Sequence, residues 1–312
     1  DRRLKTFLDL QLKLYSQVDA DSTALLYAAT ALGVSQEPHG LYHLHGSMQV
    51  LSDRLVEALE RDGGQLRMRH TVEKICVEGG RVTGVVLRDQ KTQKVWTEQA
   101  DQVVANVTVQ DLVRLLGDAA PGGYQRRVDK LIQPSGAFVV YLGVDASAIP
   151  ADCPPHLQFL YDAEGPIGEN NSLFVSVSRP GDGRAPEGKA TITASSFTDP
   201  TLWAQEQDYE ALKEQYTRTA IDRLSQFFHL NDQTILHREA GTPRTFARYT
   251  ARSQGIVGGI GQRIPTFGPF GFANRTPISH LWLVGDSTHP GEGTAGVSYS
   301  ALTVVRQIEA EL

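Results

Sequence analysis

Apolar residues recur at mostly helical spacing through Leu4, Phe7, Leu8, Leu12, Leu14, Leu25, Leu26 and Ala29, and a polar break over residues 19–22 divides them into two predicted helices. HGLYHLHGS then reads as a loop or short extended piece. In residues 48–61, Val50, Leu51, Leu55, Ala58 and Leu59 share one helical face, and Asp62-Gly63-Gly64 supplies a stop. Beyond it the period changes. Residues 65–107 carry short strand-like runs punctuated by Gly79-Gly80 and a polar stretch over 89–94, which predicts a strand and a small antiparallel meander. A helix is predicted over 111–116, strands over 136–144, 156–161, 172–178 and 189–197, and a long helix over 209–228. Strands in succession with helices beside them predict a sheet covered on one face, an α+β unit. An apolar run at 281–284 predicts a buried strand, and a helix follows from Thr294.

With 312 residues and 40% hydrophobic composition, the chain can bury a sizeable core as one large domain or two interleaved ones. A net charge of −6 with no run of Lys or Arg leaves no electrostatic footprint for nucleic acid. Cys76 and Cys153 are too few and too separated for a disulfide framework or a thiolate metal site, which fits a reducing, cytoplasmic setting. The longest apolar stretches fall well short of a spanning helix, so contact with a membrane is expected to be peripheral. The opening DRRLKTFLDLQ enters a helical pattern without an initiator Met and reads as the later part of something longer.

The segment HLWLVGDSTHPGEGTAG places Gly291, Gly293 and Gly296 in G-x-G-x-x-G spacing between the predicted last strand and helix. The usual dinucleotide version needs an acidic residue about twenty residues downstream. Here the sequence stops first. Asp286 ends the strand, where a carboxylate can accept hydroxyl hydrogen bonds, and the helix amides offer donors and a partial positive charge. The plainer alternative is that the glycines only permit a tight turn.

Other residues invite chemistry less strongly. Asp286, Ser287 and His289 are too close in sequence for a hydrolase triad. His43 and His45 lack a third ligand cluster. Glu292 reads as a solvated or helix-capping charge, and Arg244, Arg248 and Arg252 as a phosphate contact or a solvated basic face. Ile256, Ile264, Phe267, Phe270 and Phe272 suit either contact with a polyene or bilayer, or a buried loop.

LWLVGDSTHPGEGTAGVSYSALTVVRQI resembles the C-terminal flavin-binding segment of the phytoene desaturase and carotenoid isomerase group of amine-oxidase-like flavoproteins, and within it the C-3',4' carotenoid desaturases. GLYHLHGSMQVLSDRLVEALERDGGQLRMRHTVEKICVEGGRVTGVVL resembles that group's helix, strand and meander, and ADQVVANVTVQDLVRLLG its return strand and helix. The resemblance implies FAD as cofactor. Asp286, beside Gly285, matches the carboxylate that binds a ribityl hydroxyl. The amides of Thr294, Ala295, Gly296 and Val297, after Gly293, match the helix start facing the flavin pyrimidine edge. Val72 matches the valine whose backbone meets the adenine, and Asn106 an asparagine common in its strand. The group's N-terminal G-x-G-x-x-G, its acidic ribose-binding residue and its Gly-Gly-Arg region have no counterpart in this sequence.

The implied fold class is α/β plus α+β: the C-terminal part of a GR2-type Rossmann-like FAD domain (40–111 and 267–312) interleaved with a mixed-sheet substrate domain (1–39 and 112–266). The implied activity is hydride removal from a C–C unit of an apolar polyene, with no residue assigned as acid or base. The alternatives are isomerisation without net oxidation, and a fragment that binds a partner or lipid but no cofactor.

Overall fold

The computed structural model of the protein describes residues 1–34 and 42–311. In chain order its elements are α1 (Arg2–Ser16), α2 (Leu25–Val34), α3 (Met48–Arg61), β1 (His70–Glu78), β2 (Arg81–Asp89), β3 (Val95–Gln99), β4 (Val103–Ala105), α4 (Val109–Leu116), α5 (Gly122–Val128) and β5 (Gly136–Asp145). Next come β6 (His156–Leu160), β7 (Ser172–Val177), β8 (Lys189–Thr198), α6 (Pro200–Gln205), α7 (Tyr209–Leu224), β9 (Ile235–Gly241), α8 (Pro243–Thr250), β10 (Leu281–Leu283) and α9 (Thr294–Glu309). The paired N-terminal helices, α3, the meander and the closing strand and helix lie where the hydrophobic period places them. Part of the expected loop over 39–47 falls outside the described residues.

The chain divides into two compact units. The first comprises 1–6, 35–66 and 135–257; the second comprises 7–34, 67–134 and 258–312. These bounds differ from the functional division expected above: α3 falls with the five-stranded sheet, and residues 112–134 fall with the meander.

In the first unit the strands run in the order β6-β7-β8-β5-β9. The sheet expected to be mixed is antiparallel at every pairing. The pleat of β5 and the strict alternation of β8 turn Phe138, Val140, Leu142 and Val144, with Ala190, Ile192 and Ala194, toward one face. There they pack with Trp203 of α6 and with Ala220 and Leu224 of α7. Helix α7 ends at Leu224, four residues before the predicted end, yet Phe228 still joins this core. Helix α3 forms as its period predicts but buries none of its residues.

The second unit holds the antiparallel sheet β1-β2-β3 and the two-stranded sheet of β4 and β10, whose strands run parallel with Leu283 opposite Ala105. Its core joins Ile75 and Val82 of the meander, Val109, Leu112 and Leu116 of α4, and Leu281 and Leu283 of β10.

Candidate functional site

The parallel pair positions the site, which lies wholly within the second unit. In such sheets ligands gather outside the carboxyl ends of the strands. Both ends here lead through short loops into helices. After β4, Asn106 precedes Thr108, whose hydroxyl caps α4 by accepting from Asp111 N at 3.1 Å. After β10, Val284 N donates to Ala105 O at 3.0 Å, which extends the pairing by one residue before the chain turns at Gly285.

Gly285 has φ +107°, and a Cβ there would lie 2.5 Å from Asn106 Oδ1. The asparagine to which sequence reasoning could give no role thus packs directly on the turn that presents Asp286. Asp286 is partly buried. Ten residues after Val284 the chain enters α9, whose N-cap is Gly293 at φ +87° with no side chain to cap the first turn. Thr294 and Ala295 are exposed. Helix-start amides arranged this way suit an electron-rich group.

The loop is braced from behind by polar residues that sequence reasoning missed. Ser300, Thr288 and Asn274 are 0%, 3% and 8% exposed. Ser300 Oγ accepts from Gly285 N at 3.1 Å and from Asn274 Nδ2 at 2.9 Å, and it shares a 2.7 Å hydrogen bond with Thr288 Oγ1. Thr288 in turn donates to Gly285 O at 2.9 Å, while Asn274 Nδ2 reaches Leu283 O at 2.9 Å. The one available signal was Ser300 on the inner face of a helix that is otherwise apolar there. Ser300→Ala removes the shared partner of three buried groups, so it should cost about 2 kcal/mol or more, read as a lowered midpoint in urea denaturation.

Of the remaining residues expected at the site, Val72 lies on β1 opposite Leu87, 38% exposed, at an irregularity in the ladder that separates it from Lys74. Gly296 is buried and Val297 half-buried in the first turn of α9.

Glu292 requires a correction. It caps no helix and is not simply solvated: its two carboxylate oxygens accept from Gln17 Nε2 at 3.1 and 2.9 Å, and Gly259 N lies 3.4 Å from Oε2. Arg244 is exposed, as a solvated basic face would be, and is engaged by carbonyls. It donates to Trp203 O at 2.8 Å and Glu206 O at 2.6 Å, with its guanidinium over the Tyr209 ring. Ser287 is 4% exposed whereas His289 is exposed and meets Phe267 by ring contact, so the two do not present a nucleophile and base together.

In the first unit, His43 and His156 bring their Nε2 atoms to 3.1 Å with the rings stacked. Burial, then the charges of His43, Arg184 and Arg179, holds His156 below the usual imidazole range. No group of three metal-ligating side chains occurs among the described residues. The aromatic-rich segment splits: Ile256 and Phe272 are buried, whereas Ile264 and Phe270 are 71% and 61% exposed.

The family model described as flavin containing amine oxidoreductase matches residues 2–309. The chloroplastic prolycopene isomerase of Arabidopsis thaliana is 28% identical over all of this chain and 53% of its own length. Hydroxyneurosporene desaturase of Cereibacter sphaeroides is 28% identical over 93% of this chain and 57% of its own. An oxidoreductase structure from Methanosarcina mazei superimposes with a TM-score of 0.68 at 18% identity, over 98% of this chain and 65% of that one. The chain therefore spans about half the length of the curated relatives it matches.

Proposed function

The chain belongs to the flavin-containing amine oxidoreductase family, and from that premise we propose that it forms the flavin-contacting part of an FAD-dependent enzyme acting on carotenoids. The observation that carries the reading is the loop from Gly285 to Gly293. It begins with the carboxylate of Asp286, three residues past the end of β10, and ends at the uncapped helix start at Thr294. These residues fit the sugar-like and ring ends of a flavin: Asp286 accepts from a hydroxyl, and the amides of Thr294 to Val297 face an electron-rich ring edge. Asn106 and the Ser300 cluster hold that geometry.

When bound, the flavin supplies a two-electron acceptor. The substrate we assign is an apolar polyene, and the reaction its dehydrogenation. One hydrogen leaves a C–C unit as hydride and its neighbour leaves as a proton to solvent, forming a double bond. The protein's part is to orient and desolvate the chain. The desaturase relative from Cereibacter sphaeroides supports this. A second reading, cis–trans isomerisation without net oxidation, is supported by the whole-chain match to prolycopene isomerase.

Uptake of a polyene from a bilayer fits the second unit, where Leu25 and Leu26 at the start of α2 are 83% and 70% exposed. No helix of the described residues is long and apolar enough to cross a membrane. We assign the protein to the cytoplasm, peripheral on such a surface.

The test is incubation of the FAD-loaded protein with detergent-dispersed acyclic carotenoids in the absence of oxygen. Desaturation gives a red-shifted product two hydrogens lighter, with stoichiometric bleaching of the flavin. Isomerisation changes the polyene spectrum at constant mass with the flavin left oxidised. Oxidation of simple amines, with no change in any carotenoid, overturns both readings.

A further inference from the structure

Three segments of the second unit converge on a single carboxylate. The first is the turn after α1. Gln17 holds a left-handed backbone at φ +64° and is 9% exposed, so both its conformation and its burial need compensation. Its Nε2 compensates by donating to both oxygens of Glu292. The second is the glycine run 258–261. A Cβ on Gly258 would lie 2.1 Å from Glu292 Oε2 and 2.4 Å from Gln17 Nε2, and one on Gly259 would lie 2.0 Å from Asp286 O. The run therefore lies flush against both the Glu292 carboxylate and the backbone of Asp286, just past the Gly285 turn. The third is the loop 285–293 itself, which carries Glu292.

A flexible solvated glutamate would not be matched by two glycines and a strained, buried glutamine. We propose that Glu292 is a positioning residue: its carboxylate clasps the glycine run 258–261 and Gln17 to the loop 285–293, and so fixes Asp286 where it meets the cofactor. The clasp rests on the flavin reading only for its purpose, not for its existence. The neighbouring Tyr27 is half-buried, its hydroxyl donating to Tyr15 O at 2.5 Å. Burial first, and then the charge of Glu292, pushes that phenol well above its ordinary range. A single charge facing two donors is a strong tie in a half-buried setting, because charge-assisted hydrogen bonds are about twice as strong as neutral ones.

The clasp is read by amide hydrogen exchange of the 312-residue chain without added flavin. In Glu292→Ala, exchange should quicken about tenfold or more in both 258–262 and 285–293, while the amides of β5 and β8 keep their parental rates. Gln17→Glu sets two carboxylates face to face and should loosen the same two segments. The swap Gln17→Glu/Glu292→Gln restores a carboxylate–amide pair and should bring protection back in both. Parental exchange in Glu292→Ala overturns the proposal. So does quickening spread evenly over β5 and β8, or failure of the swap to restore what Gln17→Glu loosens. Flavin titration of the same proteins separates the two ideas: if the parent takes no flavin while the exchange pattern holds, the clasp stands and the flavin reading falls.

Discussion

Asp286→Ala should bind FAD about tenfold to a hundredfold more weakly than the parent, while His289→Ala binds it within about twofold. The two residues belong to one loop, so the contrast isolates position rather than segment. Asp286 follows a strand whose three residues are 0–1% exposed, and its turn is fixed by Asn106, by Ser300 and by the backbone of the glycine run. A carboxylate held this firmly loses little further entropy on accepting a hydroxyl, and a charge-assisted hydrogen bond of that kind contributes about 1.5–3 kcal/mol. His289 stands exposed, with a ring contact to Phe267. Flavin fluorescence titration decides the matter once circular dichroism has shown each variant folded. Parental affinity in Asp286→Ala would require the ribityl contact to be sought elsewhere in the loop.

Trp203→Ala should cost about 3–5 kcal/mol and unfold the first unit well below the parental midpoint. The indole is fully buried and stacked on Phe138 at 5.8 Å, with Tyr216 edge-on at 4.9 Å. Its Nε1 donates to Thr198 Oγ1 at 2.9 Å, and Thr198 donates to the Glu169 carboxylate, which also accepts from Tyr216. Alanine therefore opens a cavity beneath the sheet and removes one donor from a connected polar chain. Trp203→Phe fills most of the volume but lacks the donor, so it should recover more than half of the loss. Thermal unfolding followed by near-ultraviolet circular dichroism reads both variants, and a midpoint for Trp203→Ala within about 3 °C of the parent would contradict the packing described.

The sequence was legible wherever burial was one-sided and regular. The alternation of β8 and the apolar face of α4 follow from side chains that must all reach one core. Strand β9 went unseen because it is a sheet edge: only Ala240 and Gly241 are buried in ILHREAG, so no period of two is written into it. The short helices α6 and α8 lack length for a period. Their signature was local: Asp199 and Thr242 each cap a helix that begins with proline. The strand–loop–helix at the site was also legible, since glycines and a strand-end aspartate are local signals. The partners that hold it were not. Gln17 lies 275 residues from Glu292 in sequence, and Asn274 meets Ser300 through a buried network that no spacing encodes.

The close approach of the glycine run to the loop also bears on how the protein could be diversified. A library aimed at new cofactor or substrate preference would gain little from randomising all of 285–297. Gly285, Gly291 and Gly296 leave no room for a β-carbon, so most members altered there would be lost before selection begins. Thr294 and Ala295 face outward at the head of a helix whose hydrogen bonds do not depend on their side chains. Variation confined to those two positions keeps nearly every member folded and places each new side chain at the helix start proposed to face the flavin ring edge.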